Sequence, residues 1–185
     1  MDIEKRFNFC WTNAEDGSVC GLGSLPDTTD RLVTTLPLIL KAFDIKSFND
    51  IGCGDMAWIK NIKIDDYMGY DVVQRFDNMP LPFIKQDCIN TKTRSCDMVM
   101  IRDVLFHLPN VEVLRLLSNI NAKYLFATFH LTATNKNRHI WQDTDKNCGY
   151  SDINLMIEPF NLGQPILMYP EFQWSRFMGV WQCKQ

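Results

Sequence analysis

The apolar residues Leu32, Val33, Leu36, Ile39, Leu40 and Phe43 recur every three or four positions, the spacing that gathers side chains on one helix face. Asp27, Thr28, Thr29 and Asp30 precede them and offer side-chain oxygens suited to an N-cap, while Pro37, which lacks an N–H, is expected to kink or divide the helix. Ahead of it, residues 1–26 keep no period, and Gly17, Gly21, Gly23 and Pro26 interrupt them, so they read as an irregular N-terminal cap. A first strand is predicted over 47–51. The glycine turn that follows is expected to feed a short helix packed through Ala57, Trp58, Ile59 and Ile62. Further strands are predicted over 67–72, 83–86 and 97–101, the last nearly all apolar, as a central parallel strand is. After Pro109-Asn110, the positions Val113, Leu116, Leu117 and Ile120 mark a buried helix face, and a fifth strand is predicted over 124–129.

Beyond that point the pattern changes. Residues 131–163 are polar, with Ile153, Leu155, Met156 and Ile157 as their apolar cluster, and read as a substrate lid or loop with one short helix at most. Strands over 165–169 and 177–183, joined by a short connection, predict an antiparallel hairpin at a sheet edge. Strand and helix alternate in the first two thirds, which predicts an α/β fold: a mostly parallel seven-stranded sheet with helices on both faces, closed by the hairpin. Ligands bind such sheets beyond the carboxyl ends of the strands, so Asp50, Asp71, Asp87, Arg102, Asp103 and His130 are expected to face one crevice.

Composition narrows the functional classes. The 185 residues suit one domain over 1–185, and 46% hydrophobic with 22% charged residues is an ordinary globular balance. A formal net charge of −3 argues against a protein that coats nucleic acid. The seven cysteines form no C-x-x-C pair and no zinc spacing, so free thiols and no metal are expected. The N-terminus is charged, and no apolar run approaches the ~20 residues of a membrane helix. A cytoplasmic setting, with no membrane partner, is the expectation.

The chemistry concentrates in Asp50-Ile51-Gly52-Cys53-Gly54-Asp55. Gly52 and Gly54 remove the Cβ atoms that would keep a ligand from the backbone. The string Gly52-Cys53-Gly54-Asp55-Met56-Ala57 also satisfies the G-x-G-x-x-A dinucleotide fingerprint, and Asp71 stands near where a ribose-binding acid of such proteins falls, so spacing leaves both ligands open. Charge separates them. Asp55, expected at a helix N-cap, would oppose a pyrophosphate, whereas S-adenosylmethionine (SAM) carries an ammonium and a sulfonium.

The ordered segments D-I-G-C-G-D (50–55), Y-M-G-Y-D-V (67–72), Q-D-C (86–88) and I-R-D-V-L-F-H-L (101–108) resemble the class I, Rossmann-like SAM-dependent methyltransferases. The likeness covers residues 22–130. G-L-G-S-L-P-D-T-T (21–29) and R-D-V-L-F-H-L-P (102–109) further resemble a group of small microbial and viral members, of which this chain would be a minimal version. The resemblance implies that Gly52 and Gly54 line the methionine part of SAM, with Asp50 attracting its ammonium. It implies that Asp71 accepts both ribose hydroxyls, that Val72 packs on adenine, and that Asp87 and Cys88 read the adenine edge. Gly23 and Ser24 would cover the cofactor, and Arg102, Asp103 and His107 would sit beside the methyl group. Asp103, His107 and His130 are the candidate bases. Asp87 also fits a plain turn, and His139, Trp11, Trp141 and Trp174 are weaker candidates for site or lid roles; Trp181 is expected to pack. The stretch from Asp71 to Gln86, broken by Pro80 and Pro82, departs from the family in leaving no helix there, which predicts a more open adenine side. The implied activity is methyl transfer to an oxygen or nitrogen of a small molecule or carbohydrate. The alternatives are a catalytically silent SAM-binding scaffold and a nucleic-acid methyltransferase.

Overall fold

The computed structural model describes residues 3–12, 19–135, 149–172 and 176–183. The Trp11 side chain, His139, Trp141 and Trp174 lie outside the described residues. A helix α1 (Ile3–Thr12) and a helix α2 (Pro26–Ala42) precede the strands β1 (Ser47–Ile51), β2 (Asp66–Asp71), β3 (Phe83–Lys85) and β4 (Cys96–Ile101). The chain continues through α3 (Asn110–Ser118), β5 (Ala122–His130), β6 (Leu167–Phe172) and β7 (Arg176–Gln182). The seven strands form one sheet in the order β3-β2-β1-β4-β5-β7-β6, with β1 to β5 parallel and β7 antiparallel to both β5 and β6. This is the α/β sheet and edge hairpin that the alternating pattern predicts.

Alternation along each central strand distributes side chains to two cores. Phe48, Met98, Met100, Phe126, Met178 and Val180 pack under Leu32, Leu36, Ile39 and Leu40 of α2. Ile51, Val99, Ile101, Leu125, Ala127 and Phe129 pack on the other face with Val113 and Leu116 of α3 and with Trp181. Both faces are covered, so β4 and β5 are apolar over most of their length, as parallel strands between helices are, while β1 buries the polar Asn49 and Asp50.

Three expectations are corrected. Residues 1–26 are not wholly irregular, because α1 forms and is tied to the body: Arg6 donates to Glu112 at 3.3 Å and to the His107 carbonyl, and Lys85 pairs with Glu4 at 2.6 Å. The glycine turn leads to a single 3-10 turn, Ile59–Asn61, and not to an α-helix; the Asp55 carboxylate accepts the Ala57 N–H at 3.0 Å and closes a turn. Pro37 lies inside an undivided α2, which starts earlier than the Asp27–Asp30 caps imply, with Leu25 at the N-cap and Pro26 in the first turn. The absence of a helix between β2 and β3 is as the two prolines predict. No helix among the described residues is long and apolar enough to cross a membrane.

At the end of the sheet away from the glycine turn, one carboxylate staples three strands. Asp97 accepts the Lys46 N–H at 3.0 Å, the Ser47 N–H at 2.9 Å and the Ser47 hydroxyl at 3.0 Å, and pairs with Lys123 at 2.6 Å. These donors hold the Asp97 carboxyl well below the usual carboxylate range, the Lys123 contact most of all. Asp97→Ala is expected to lower the denaturation free energy by about 2 kcal/mol, since it orphans the donors at the start of β1; an unchanged urea midpoint would reject the staple.

Candidate active site

The carboxyl ends of β1, β2 and β4 open into a crevice of about 950 Å³, part of it open to solvent. Gly52 and Gly54 form its floor with φ of 77° and 57°, a left-handed backbone that only glycine adopts freely. The Gly52 N–H donates to the Tyr70 carbonyl at 2.8 Å, and a Cβ at Gly52 would stand 2.2 Å from Val104 Cγ2. The turn is therefore pressed between β2 and the segment after β4.

Asp71 locks it there. One carboxylate oxygen accepts the Gly54 N–H at 3.0 Å and the other accepts the Val73 N–H at 2.9 Å. Burial pushes this carboxyl up from its ordinary value, and the two N–H groups pull against that rise. Each oxygen keeps a lone pair for a ligand hydroxyl. Asp50 is 2% exposed, accepts the Tyr67 hydroxyl at 2.9 Å, and is pushed by burial up to about 7. It therefore sits near half-protonation at neutral pH, a state that a cation brought into the crevice would shift to fully ionised.

The crevice brings together Gly23, Ser24, Asp50, Gly52, Gly54, Asp71, Val72, Asp87, Cys88, Arg102, Asp103 and His107. Asp87 lines it while serving its own turn, accepting the Ile89 N–H at 2.9 Å and the Asn90 amide at 2.6 Å. The N-terminal segment lies across the mouth: a Cβ on Gly23 would come within 2.6 Å of Asp103 Oδ2, and one on Gly54 within 2.8 Å of Cys20 Sγ. Ile3 and Phe7 of α1 also line the crevice, on the side where Cys88, Ile89, Leu108 and Leu116 gather. Helix α1 thus covers this part of the crevice, next to Asp87 and Cys88.

His130 is the exception and is corrected. It does not line the crevice. Its Nδ1 accepts the Ile153 N–H at 3.2 Å and its Nε2 meets the Tyr150 hydroxyl at 2.9 Å, so the neutral ring pins residues 150–153 to β5. Burial lowers its pKa and favours that neutral form. Asp103, by contrast, stands at the mouth with φ 57°; Thr128 donates to Oδ1 at 3.2 Å and Arg176 donates to Oδ2 at 3.2 Å.

Sequence reasoning missed three contributors. Trp58, expected to pack in a helix, lies in the crevice with the Arg102 guanidinium 5.7 Å above its ring. Arg75 lines the crevice near Asp71. Glu171, with a fully buried side chain, takes a hydrogen bond from Arg102 Nε. Only the isolated acid inside an otherwise apolar-aromatic edge strand signalled the last.

Neither a family model nor a curated protein sequence matches the chain. Solved structures do match. The N-methyltransferase NodS from Bradyrhizobium japonicum, in complex with S-adenosyl-L-homocysteine (SAH), superposes with a TM-score of 0.67 at 13% identity, covering 97% of this chain and 99% of NodS. Magnesium protoporphyrin IX methyltransferase from Synechocystis PCC 6803, with bound SAM, gives 0.55 at 16% identity, covering 97% and 90%. The 16S rRNA methylase RmtB gives 0.50 at 15% identity, covering 100% of this chain and 76% of RmtB. The fold is that of the class I, Rossmann-like SAM-dependent methyltransferases.

Proposed function

We propose that the protein is a SAM-dependent methyltransferase acting on an oxygen or nitrogen of a small molecule or carbohydrate. The observation that carries this reading is the convergence of four separate segments, Asp50 to Gly54, Asp71-Val72, Asp87-Cys88 and Arg102-Asp103, on one crevice around a buried carboxylate. No α-helix follows the glycine turn, so the N-terminus that would hold a pyrophosphate is missing, and Asp50 and Asp71 suit a cation and a ribose instead. The residues fit SAM. Asp50 takes the ammonium, Gly52 and Gly54 let the methionine end approach the backbone, Asp71 accepts the ribose hydroxyls, and Val72, Asp87 and Cys88 border adenine. Gly23 and Ser24 cover the cofactor.

SAM supplies an already activated methyl group, so the chain's own tasks are positioning, excluding water and, for a hydroxyl acceptor, taking up a proton. Asp103 is placed for the last, and His107 is the second candidate. A net charge of −3 and the acids of the crevice support a small or glycan acceptor over nucleic acid. Isothermal calorimetry with SAH is expected to give saturable heat, and a labelled-methyl assay over metabolite, glycan and nucleic-acid fractions to place label in one of the first two. Folded protein giving no heat overturns the reading. The engagement of Asp103 by Thr128 and Arg176 favours a second reading, a SAM-binding scaffold, which predicts SAH binding with no label in any fraction.

A further inference from the structure

We propose that His130 is a positioning residue whose neutral ring docks Tyr150 to Ile153 against the His107 wall of the crevice, and that acidification loosens this docking. The inference goes beyond the cofactor reading and does not depend on it.

His130 is 1% exposed at the end of β5, and both of its ring nitrogens are engaged. Nδ1 accepts the Ile153 N–H at 3.2 Å, so the proton of the neutral ring sits on Nε2 and is donated to the Tyr150 hydroxyl at 2.9 Å. That hydroxyl in turn donates to Asp152 Oδ1 at 3.2 Å. The backbone joins in: the His130 N–H donates to the Ile153 carbonyl at 2.6 Å, and the Ser151 N–H to the Phe106 carbonyl at 3.0 Å. A second ring proton has no place here. On Nδ1 it would face the Ile153 N–H, donor against donor, and that buried amide would lose its acceptor. Beyond residue 153 the chain is held separately, since the Asn154 N–H donates to Asn135 at 2.8 Å and the Asn154 amide to the Thr132 carbonyl at 2.8 Å. The loosening therefore falls on residues 150–153.

Those residues back the crevice. Tyr150 is 48% exposed, so its hydroxyl bonds are what place it, and its ring lies 4.8 Å from Phe106 and 6.2 Å, edge-on, from His107. His107 lines the crevice and meets Phe7 of α1 on its own account, at 6.3 Å. The charges around His130 oppose a proton on balance. Burial is the largest influence and lowers its pKa, and Arg176, its partner in the β5–β7 ladder, acts the same way. Asp152, 3.6 Å from Nε2, and Asp103 at the end of β4 pull in the other direction, but Asp152 is about half exposed and screened. Burial and Asp152 push the Tyr150 hydroxyl up to about 12, so it stays a neutral donor. The loosened form takes up the proton more readily than the docked one, so docking is complete above pH ~6.5 and is lost as pH falls below it.

The test is hydrogen exchange of the Ser151 and Ile153 amides, corrected for intrinsic rates, from pH ~8 to pH ~5, together with nitrogen NMR of the histidine rings. Wild type is expected to show an Nε2–H ring for His130 at pH ~8, and to lose about tenfold or more of the protection at both amides by pH ~5. His130→Asn keeps an oxygen to accept the Ile153 N–H and binds no proton, so its Ile153 protection is expected to stay flat over the same range, which a merely structural role would not produce. Calorimetry with SAH reads the link to the crevice: the ratio of wild-type to variant affinity, in which Asp50 cancels, is expected to fall severalfold as the protection is lost. An Nδ1–H ring at pH ~8, wild-type protection that does not change with pH, protection that falls alike in the variant, or a constant affinity ratio overturns the proposal. The wild-type series stands even where the variant fails to fold. Failure of wild type to bind SAH would remove the cofactor reading alone, because exchange decides the docking by itself.

Discussion

Asp71→Ala is expected to cost about 2 to 5 kcal/mol of stability and to weaken SAH binding by roughly a hundredfold, because one carboxylate does two tasks. In the folded protein it is the acceptor for the Gly54 and Val73 N–H groups, and truncation leaves both without a partner where water has little access. An orphaned buried donor costs about 1 to 3 kcal/mol. The glycine turn then loses its tie to β2 and the floor of the crevice loosens, so affinity falls even for ligand groups that never touch residue 71. Asp71→Asn separates the two tasks: its single oxygen serves one N–H, its amide nitrogen faces the other, and it carries no charge. Urea denaturation and calorimetry with SAH should rank wild type above Asn above Ala in both. Wild-type values in the alanine variant for either quantity would show that Asp71 does not organise the site.

The second large effect is a pH dependence centred on Asp50. Its folded pKa of about 7 stands above the ordinary 3.8, so the native state holds this proton more tightly than the unfolded chain. The stability it contributes is whole below pH ~4 and is lost as pH rises toward ~7, about 4 kcal/mol at 1.36 kcal/mol per pH unit. Asp50→Asn removes the titration while its oxygen still accepts the Tyr67 hydroxyl. Above pH ~7 the variant is therefore expected to be more stable than wild type by up to about 4 kcal/mol, and at pH ~4 the two should coincide. Asp71 and Glu171 are also raised by burial, so the pair of proteins, compared at each pH, isolates residue 50. Ligand binding should move the other way. An ammonium beside Asp50 favours the carboxylate, so wild-type affinity for SAH should rise about tenfold per pH unit up to ~7 and level off, whereas the variant should bind weakly with no such slope. Parallel stability curves for the two proteins would sink the assignment.

On the proposed reading Asp50 is a stability liability that binding would relieve. The cost of burying a charge at the end of β1 would be recovered when a cation arrives, the pattern expected of a site residue and not of a core residue. Arg102 likewise keeps its buried Nη2 without a hydrogen-bond partner in the folded chain. By contrast Asp97, at the opposite end of the sheet, is an acid surrounded by donors, and its ionised form is held in the folded chain itself.

The strands, α2, α3 and the glycine turn were legible in the chain alone because their signals are local. Apolar alternation names a strand whatever it pairs with, and Gly52 and Gly54 mark a backbone that other residues resist. The acids at strand ends followed from one topological rule, and Asp50, Asp71, Asp87 and Asp103 do share a crevice. What tertiary structure alone decided depends on partners far off in sequence. The helix α1 is too short to declare itself, and its Arg6 and Glu4 reach Glu112 and Lys85. His130 leaves the site because residues 150–153 supply Tyr150 and Ile153 to both ring nitrogens. Glu171 reaches Arg102 behind the crevice because a one-residue slip in a hairpin turns an edge carboxylate inward, a contact spanning 69 positions that no local pattern encodes. Periodicity reports which side of an element is buried; which groups then meet is set only when the sheet has closed.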